Sequence, residues 1–214
     1  LEKARYLFLL PILIMFRLMT ETGSRVAFIS FALVFVTGVV LLKTKRILGK
    51  ISIFSIGSIA LIYSWIFLVQ SETLMQRLSE SYEKGDLSGR DVIWQGLLPL
   101  IESNPIIGVG NTGYAYFTKM TFGSGVSPHN VILEVLCYTG IIGLIIYLLF
   151  LFRVFKKGYQ NYKTEGLLLP LLLISPVLGM ILSGQILYVK IGWVIFAYIV
   201  GGSVFKQNQR QCVA

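Results

Sequence analysis

The sequence predicts an all-α integral membrane protein of about six transmembrane helices, with one long extracytoplasmic loop that contains an amphipathic helix. Three observations carry this expectation. Of 214 residues, 55% are hydrophobic and only 14% charged, with a mean hydropathy of +0.76, a balance that a water-facing surface does not support. Apolar stretches approaching the roughly 20 residues needed to cross a bilayer recur along the chain. The formal charge of +9 is gathered into short basic blocks between those stretches, the pattern of cytoplasmic flanks, so no nucleic-acid partner is implied.

In order, the spans are read at 6–19, 26–42, 51–69, 131–152, 166–183 and 186–205. Lys43, Lys45, Arg46 and Lys50 separate the second from the third, and Arg153, Lys156, Lys157 and Lys163 separate the fourth from the fifth. Both basic segments should face the cytoplasm. Parity then keeps Lys3 and Arg5 inside with the tail carrying Lys206 and Arg210, and places residues 70–128 outside. That loop has four basic and six acidic residues, a balance of −2, so the positive excess lies on the other side. Pro11, Pro170 and Pro176 fall within spans and should kink them. Gly140 and Gly143 allow close helix packing. The first apolar stretch follows Leu1 directly, with no initiating Met and no small-residue cleavage site, and the whole of 1–214 reads as one polytopic domain, the C-terminal part of a longer protein. Cys137 and Cys212 cannot make a disulfide framework.

A loop as long as 70–128 without structure of its own is uncommon unless it is functional. Ser88-Gly89-Arg90-Asp91 resembles a helix start, with Ser88 as N-cap. Ile93, Trp94, Leu97, Leu100 and Ile101 follow at near-helical spacing, predicting an amphipathic helix on the outer membrane surface that ends near Asn104-Pro105.

Gly108-Val109-Gly110-Asn111-Thr112-Gly113 spells G-x-G-x-x-G, but no strand precedes it and no βαβ unit surrounds it, so the dinucleotide reading lacks its context. A turn that lets backbone approach a neighbour or ligand suits it better. His129 is the single histidine. A histidine-rich metal cluster is excluded, and Glu134 falls about 140° around a helix from it, so no metal site is expected. Standing where the polar loop enters a span, His129 is a candidate general base; the plain alternative is an interfacial imidazole hydrogen-bonded to a backbone carbonyl. Arg25, Arg77 and Arg90 gain nothing from a positive-inside preference, and guanidinium groups bind phosphate oxygens bidentately. For Arg77, which sits among acids, surface solvation is an equal explanation.

Taken together, Thr22-Gly23-Ser24-Arg25, then Arg90-Asp91-Val92-Ile93-Trp94, then Asn104-Pro105-Ile106-Ile107-Gly108-Val109-Gly110, then His129-Asn130 with Glu134 and Thr139-Gly140-Ile141-Ile142-Gly143, resemble the O-antigen ligase and polymerase family of bacterial envelopes. Val26 departs from the glycine that family members often carry after the Ser-Arg pair. The resemblance implies a multi-pass protein of the bacterial cytoplasmic (inner) membrane that moves a glycan from an undecaprenyl-pyrophosphate carrier to a glycan, lipid or protein acceptor. It implies no metal or nucleotide cofactor. It gives His129 the role of base, Arg25 and Arg90 the pyrophosphate, and Arg77, Asn130, Gly108, Gly110 and Glu134 supporting parts. Two rivals remain at this level. A transporter or flippase for lipid-linked sugars would place its polar groups at mid-membrane and show repeated halves, and a non-catalytic assembly subunit would use the loop for docking.

Overall fold

The computed structural model describes residues 25–41, residues 51, 54, 55, 57–59, 62 and 66, and then 90–184 and 186–213. The expected span 6–19, most of 51–69 and the loop residues 70–89 lie outside the described residues. The chain divides into two units, Leu1–Gly85 and Asp86–Ala214.

In the first unit the expected second span is helix α1, Arg25–Leu41. Ile29, Leu33, Val36 and Val40 form an exposed row along it at helical spacing. Phe35 turns the other way and stacks on Phe54, with ring centroids 6.5 Å apart. Gly57 lies so close to the Phe35 ring that a β-carbon there would overlap it.

The second unit contains α2 (Arg90–Ser103), α3 (Gly110–Phe122), α4 (Val131–Glu165), α5 (Leu168–Leu172), α6 (Ile174–Ser183) and α7 (Lys190–Val213). All are helices, and no strand occurs among the described residues. Helix α4 organises the unit, because each of the other five packs against it. It is long and apolar enough to cross a membrane. It also continues beyond the apolar stretch 131–152, through Arg153, Lys156, Lys157 and Lys163, to Glu165. Lys and Arg are good helix formers, so charge ends the apolar stretch without ending the helix. Gly166, at φ 68°, ends it.

One break interrupts α4. Gly140 has φ 62° and ψ −164°, outside helical geometry. The groups that the break releases are taken up by the turn between α2 and α3. The Ile141 and Ile142 amides donate to the carbonyls of Pro105 (2.9 Å) and Ile106 (3.4 Å), while the Cys137 carbonyl accepts from the Val109 amide at 2.9 Å. Thr139 adds a side-chain bond to the Val135 carbonyl at 2.8 Å, a pattern that bends helices. The approach is backbone to backbone. A β-carbon on Gly140 would overlap the Ile106 carbonyl group, and one on Gly108 would come within 2.6 Å of the Thr139 nitrogen. Gly140 therefore allows close packing as its sequence context promised, but against a loop segment rather than a helix.

Beyond the break, Tyr147, Leu151 and Val154 of α4 form a core with Val177 and Ile181 of α6, Ile186, and Phe196 and Ile199 of α7. Asn161 is buried and its amide donates to the Ile199 carbonyl at 2.9 Å, clasping α4 to α7. The expected span 166–183 is two helices, α5 and α6, with Leu173 between them. Pro176 explains the division: it has no N–H for the Leu172 carbonyl and its ring crowds that group. The expected span 186–205 likewise begins with a turn at 186–188 and becomes helical at Lys190.

The break predicts an ordering of glycine substitutions. Gly110→Ala meets no neighbour within 4 Å, so only its φ of 70° matters, at a strain of about 1–2 kcal/mol. Gly140→Ala adds a collision with backbone that cannot move aside. Thermal unfolding of the full-length protein in detergent should show a several-fold larger loss of stability for Gly140→Ala, and equal losses would refute the docking.

Candidate functional site

A strap from Val126 to Asn130 leads into α4, and four bonds fix it. Trp94 of α2 donates its indole N–H to the Pro128 carbonyl at 2.8 Å. Tyr114 of α3 donates its hydroxyl to the Val126 carbonyl at 2.9 Å. Asn130 is the N-cap of α4, its Oδ1 accepting from the amides of Ile132 (3.0 Å) and Leu133 (3.3 Å). Between these anchors His129 is exposed, and its backbone adopts φ 48°, the single positive value on a non-glycine residue among those described. Its amide donates to the Ser127 hydroxyl at 3.2 Å. A left-handed histidine is strained and persists only where its surroundings impose it. Here the anchors on both sides impose it and turn the imidazole away from the packed interior.

Tyr114 belongs to a small second core with Leu97 and Leu100 of α2 and Cys137 of α4, with Ile93 and Ile101 packed at its edge. The apolar face of α2 that the sequence reading laid on the outer membrane surface, Ile93, Leu97, Leu100 and Ile101, is turned inward here against α3 and α4, and Trp94 supplies the link to the strap. Tyr114 stands edge-on to Tyr138, with centroids 5.0 Å apart. Burial pushes the Tyr114 phenol well above its usual range, so it remains a hydrogen-bond donor.

Glu134 is buried in the first turn of α4, with 2% of its surface exposed. The Tyr138 hydroxyl donates to its Oε1 at 3.3 Å, and the exposed Tyr188 hydroxyl donates to that of Tyr138 at 3.0 Å. This chain runs from the surface to a buried carboxyl group. An ionisable side chain within a span calls for partners of this kind.

The other residues singled out from the sequence are distributed as follows. Arg90 is the half-exposed first residue of α2, one turn before Trp94 and so on the same side of the helix as the strap anchor. Gly108 and Gly110 have φ of 67° and 70°; Gly108 touches the break in α4 and Gly110 opens α3. Arg25 is the first residue of α1, in the other unit. Arg77 lies outside the described residues. Among the described residues no group of three His, Cys, Asp or Glu side chains is placed to hold a metal ion.

The sequence reading missed α3, whose first turn carries two glycines and so has poor helix propensity. The Gly123 cap, at φ 75°, was the available signal. It also missed the parts of Tyr114, Tyr138 and Tyr188, which look like ordinary apolar positions until the fold brings them together.

Comparison with known proteins adds one finding. No curated protein and no solved structure matches the chain. A family model described as O-antigen ligase matches residues 10–148, a stretch that includes α1, α2, α3, the strap and the break in α4. The chain belongs to the O-antigen ligase family, a family of membrane-embedded proteins.

Proposed function

We propose that the protein is a glycosyltransferase of the bacterial cytoplasmic membrane that moves a glycan from an undecaprenyl-pyrophosphate carrier to an acceptor on the outer face, as a polymerase or a ligase. In this reading the chain crosses the membrane about six times, as one polytopic domain, and residues 70–128 lie outside. The observation that carries the reading is His129: an exposed imidazole in a strained backbone conformation, held by α2 and α3 at the mouth of a helix long enough to span the bilayer.

The proposed reaction is a single displacement. The acceptor hydroxyl oxygen attacks the anomeric carbon while the His129 imidazole takes its proton. The bond from that carbon to the pyrophosphate oxygen breaks, and the lipid pyrophosphate leaves with the electron pair. Arg90 and Arg25 hold this group and stabilise its growing charge, with paired N–H donors that fit phosphate oxygens. Arg77 is assigned a supporting part. Asn130 and the glycines Gly108 and Gly110 keep the strap and the turn in place. Glu134, through Tyr138, supports the start of α4. The donor carries its own activation, so the step needs neither metal nor nucleotide.

Three outcomes test this. His129→Ala in the full-length protein should abolish surface glycan at unchanged protein level, and normal glycan would remove His129 from the mechanism. Arg90→Lys should transfer more slowly, because a point charge cannot replace a bidentate fork; wild-type rates would count against the pyrophosphate role. Trp94→Phe keeps an aromatic side chain but loses the indole N–H that bonds Pro128, worth about 1 kcal/mol, so transfer should fall roughly five-fold with donor binding retained. An unchanged rate would make that bond irrelevant to the reaction. Surface glycan from a deletion strain sorts the two activities: one repeat unit on the acceptor marks a polymerase, and long unattached chains on the carrier mark a ligase.

A further inference from the structure

The turn between α2 and α3 is attached where a loop on the outer face is not expected. Its partners are Gly140, Ile141 and Ile142 of α4. Gly140 is nine residues from the start of α4 at Val131, about 14 Å along a helix axis at 1.5 Å per residue, against a hydrocarbon core of about 30 Å. A segment fixed there lies below the membrane surface if α4 enters the bilayer near its first turn.

The side chains at the tip agree with that depth. Ile106 and Ile107 are 59% and 73% exposed, although both sit in a turn that is otherwise packed closely against α4. Two adjacent isoleucines facing water are unfavourable. The surface beside them is apolar too. Ile141 and Ile142, joined to the turn through their amides, are exposed, and Ile145 and Ile146 continue the same outward row one turn further along α4. The tip therefore extends the outward apolar face of the helix proposed to span.

Part of the turn's backbone, though not the amides of Ile106 and Ile107, is paired as such a place requires. In hydrocarbon a main-chain group needs a partner within the protein. The Pro105 and Ile106 carbonyls bond Ile141 and Ile142, the Asn104 carbonyl accepts from the Gly108 amide at 3.1 Å, and the Val109 amide bonds Cys137. Pro105 brings no N–H of its own.

We infer that residues 105–107 form a re-entrant wedge, with Ile106 and Ile107 inserted among the acyl chains of the outer leaflet beside α4. The occupant of this apolar surface is lipid, because the surface continues the outward face of a spanning helix. The inference rests on the spanning assignment of α4 and is independent of the reaction that the protein performs. A membrane-anchored turn would fix α2 and α3, and the strap they hold, at a constant height over the bilayer.

The test uses the full chain, with Cys137→Ala and Cys212→Ala, reconstituted in phosphatidylethanolamine/phosphatidylglycerol vesicles. Nitroxide labels are introduced by Ile107→Cys, by Ile146→Cys on the outward face of α4, and by Lys119→Cys on the exposed side of α3. Collision rates with oxygen, which concentrates in lipid, are compared with those of a water-soluble nickel complex. The expected oxygen-to-nickel ratio at 107 equals that at 146 and is several-fold above that at 119. A ratio at 107 matching 119 overturns the wedge. Low access to both reagents at 107 means that protein covers the tip and overturns lipid as its occupant. A water-like ratio at 146 as well overturns the spanning assignment beneath the inference.

Discussion

The exchange of backbone partners at Gly140 is the constraint on which the rest of the second unit depends. A helix interrupted in an apolar setting leaves amides and carbonyls without partners, and each such group is costly to leave unpaired. The chain meets this by lending three backbone hydrogen bonds from one turn, at Pro105, Ile106 and Val109, to the interrupted helix. The two are separated by more than thirty residues, so the turn and the helix specify each other. Because α2 ends and α3 begins at this turn, the same exchange fixes both helices against α4. Their aromatic side chains then reach the strap before α4, and His129 takes its place from them.

The sequence was most informative where periodicity and composition act over many residues. Helices α1, α2 and α4 lie where apolar spacing put them, but the apolar set of α2, Ile93, Leu97, Leu100 and Ile101, packs against α3 and α4 rather than on the membrane surface. It was less informative where a local device outweighs composition. Pro176 divides an apolar stretch that hydropathy reads as continuous. The cationic end of α4 stays helical although its charge marks the edge of the apolar stretch. Helix α3 opens with glycines and has no long apolar face, so its stability comes from Tyr114 and Thr118 packing inward, which only the folded chain shows.

The candidate site divides in the same way. Single-residue chemistry identified His129, Arg90 and Arg25 as groups able to move a proton or hold a phosphate, and family resemblance ordered them. What individual residues could not reveal is how a histidine at the end of a loop is held. The strap carries no regular structure of its own, and its bonds come from side chains on elements 12 and 34 residues away along the chain. Glu134 is similar. An acid in an apolar stretch is easily noticed, but its link through Tyr138 to Tyr188, 50 residues beyond Tyr138, is visible only in three dimensions.

The left-handed backbone at position 129 has a consequence for how variation there should be understood. Glycine adopts that conformation without strain, whereas histidine does so only because its neighbours compel it. The fold by itself therefore has no use for an imidazole at this position and would accept its loss gladly. Under the proposed role of His129, stability and chemistry favour different residues at one site, and a chain selected for stability alone would drift away from histidine.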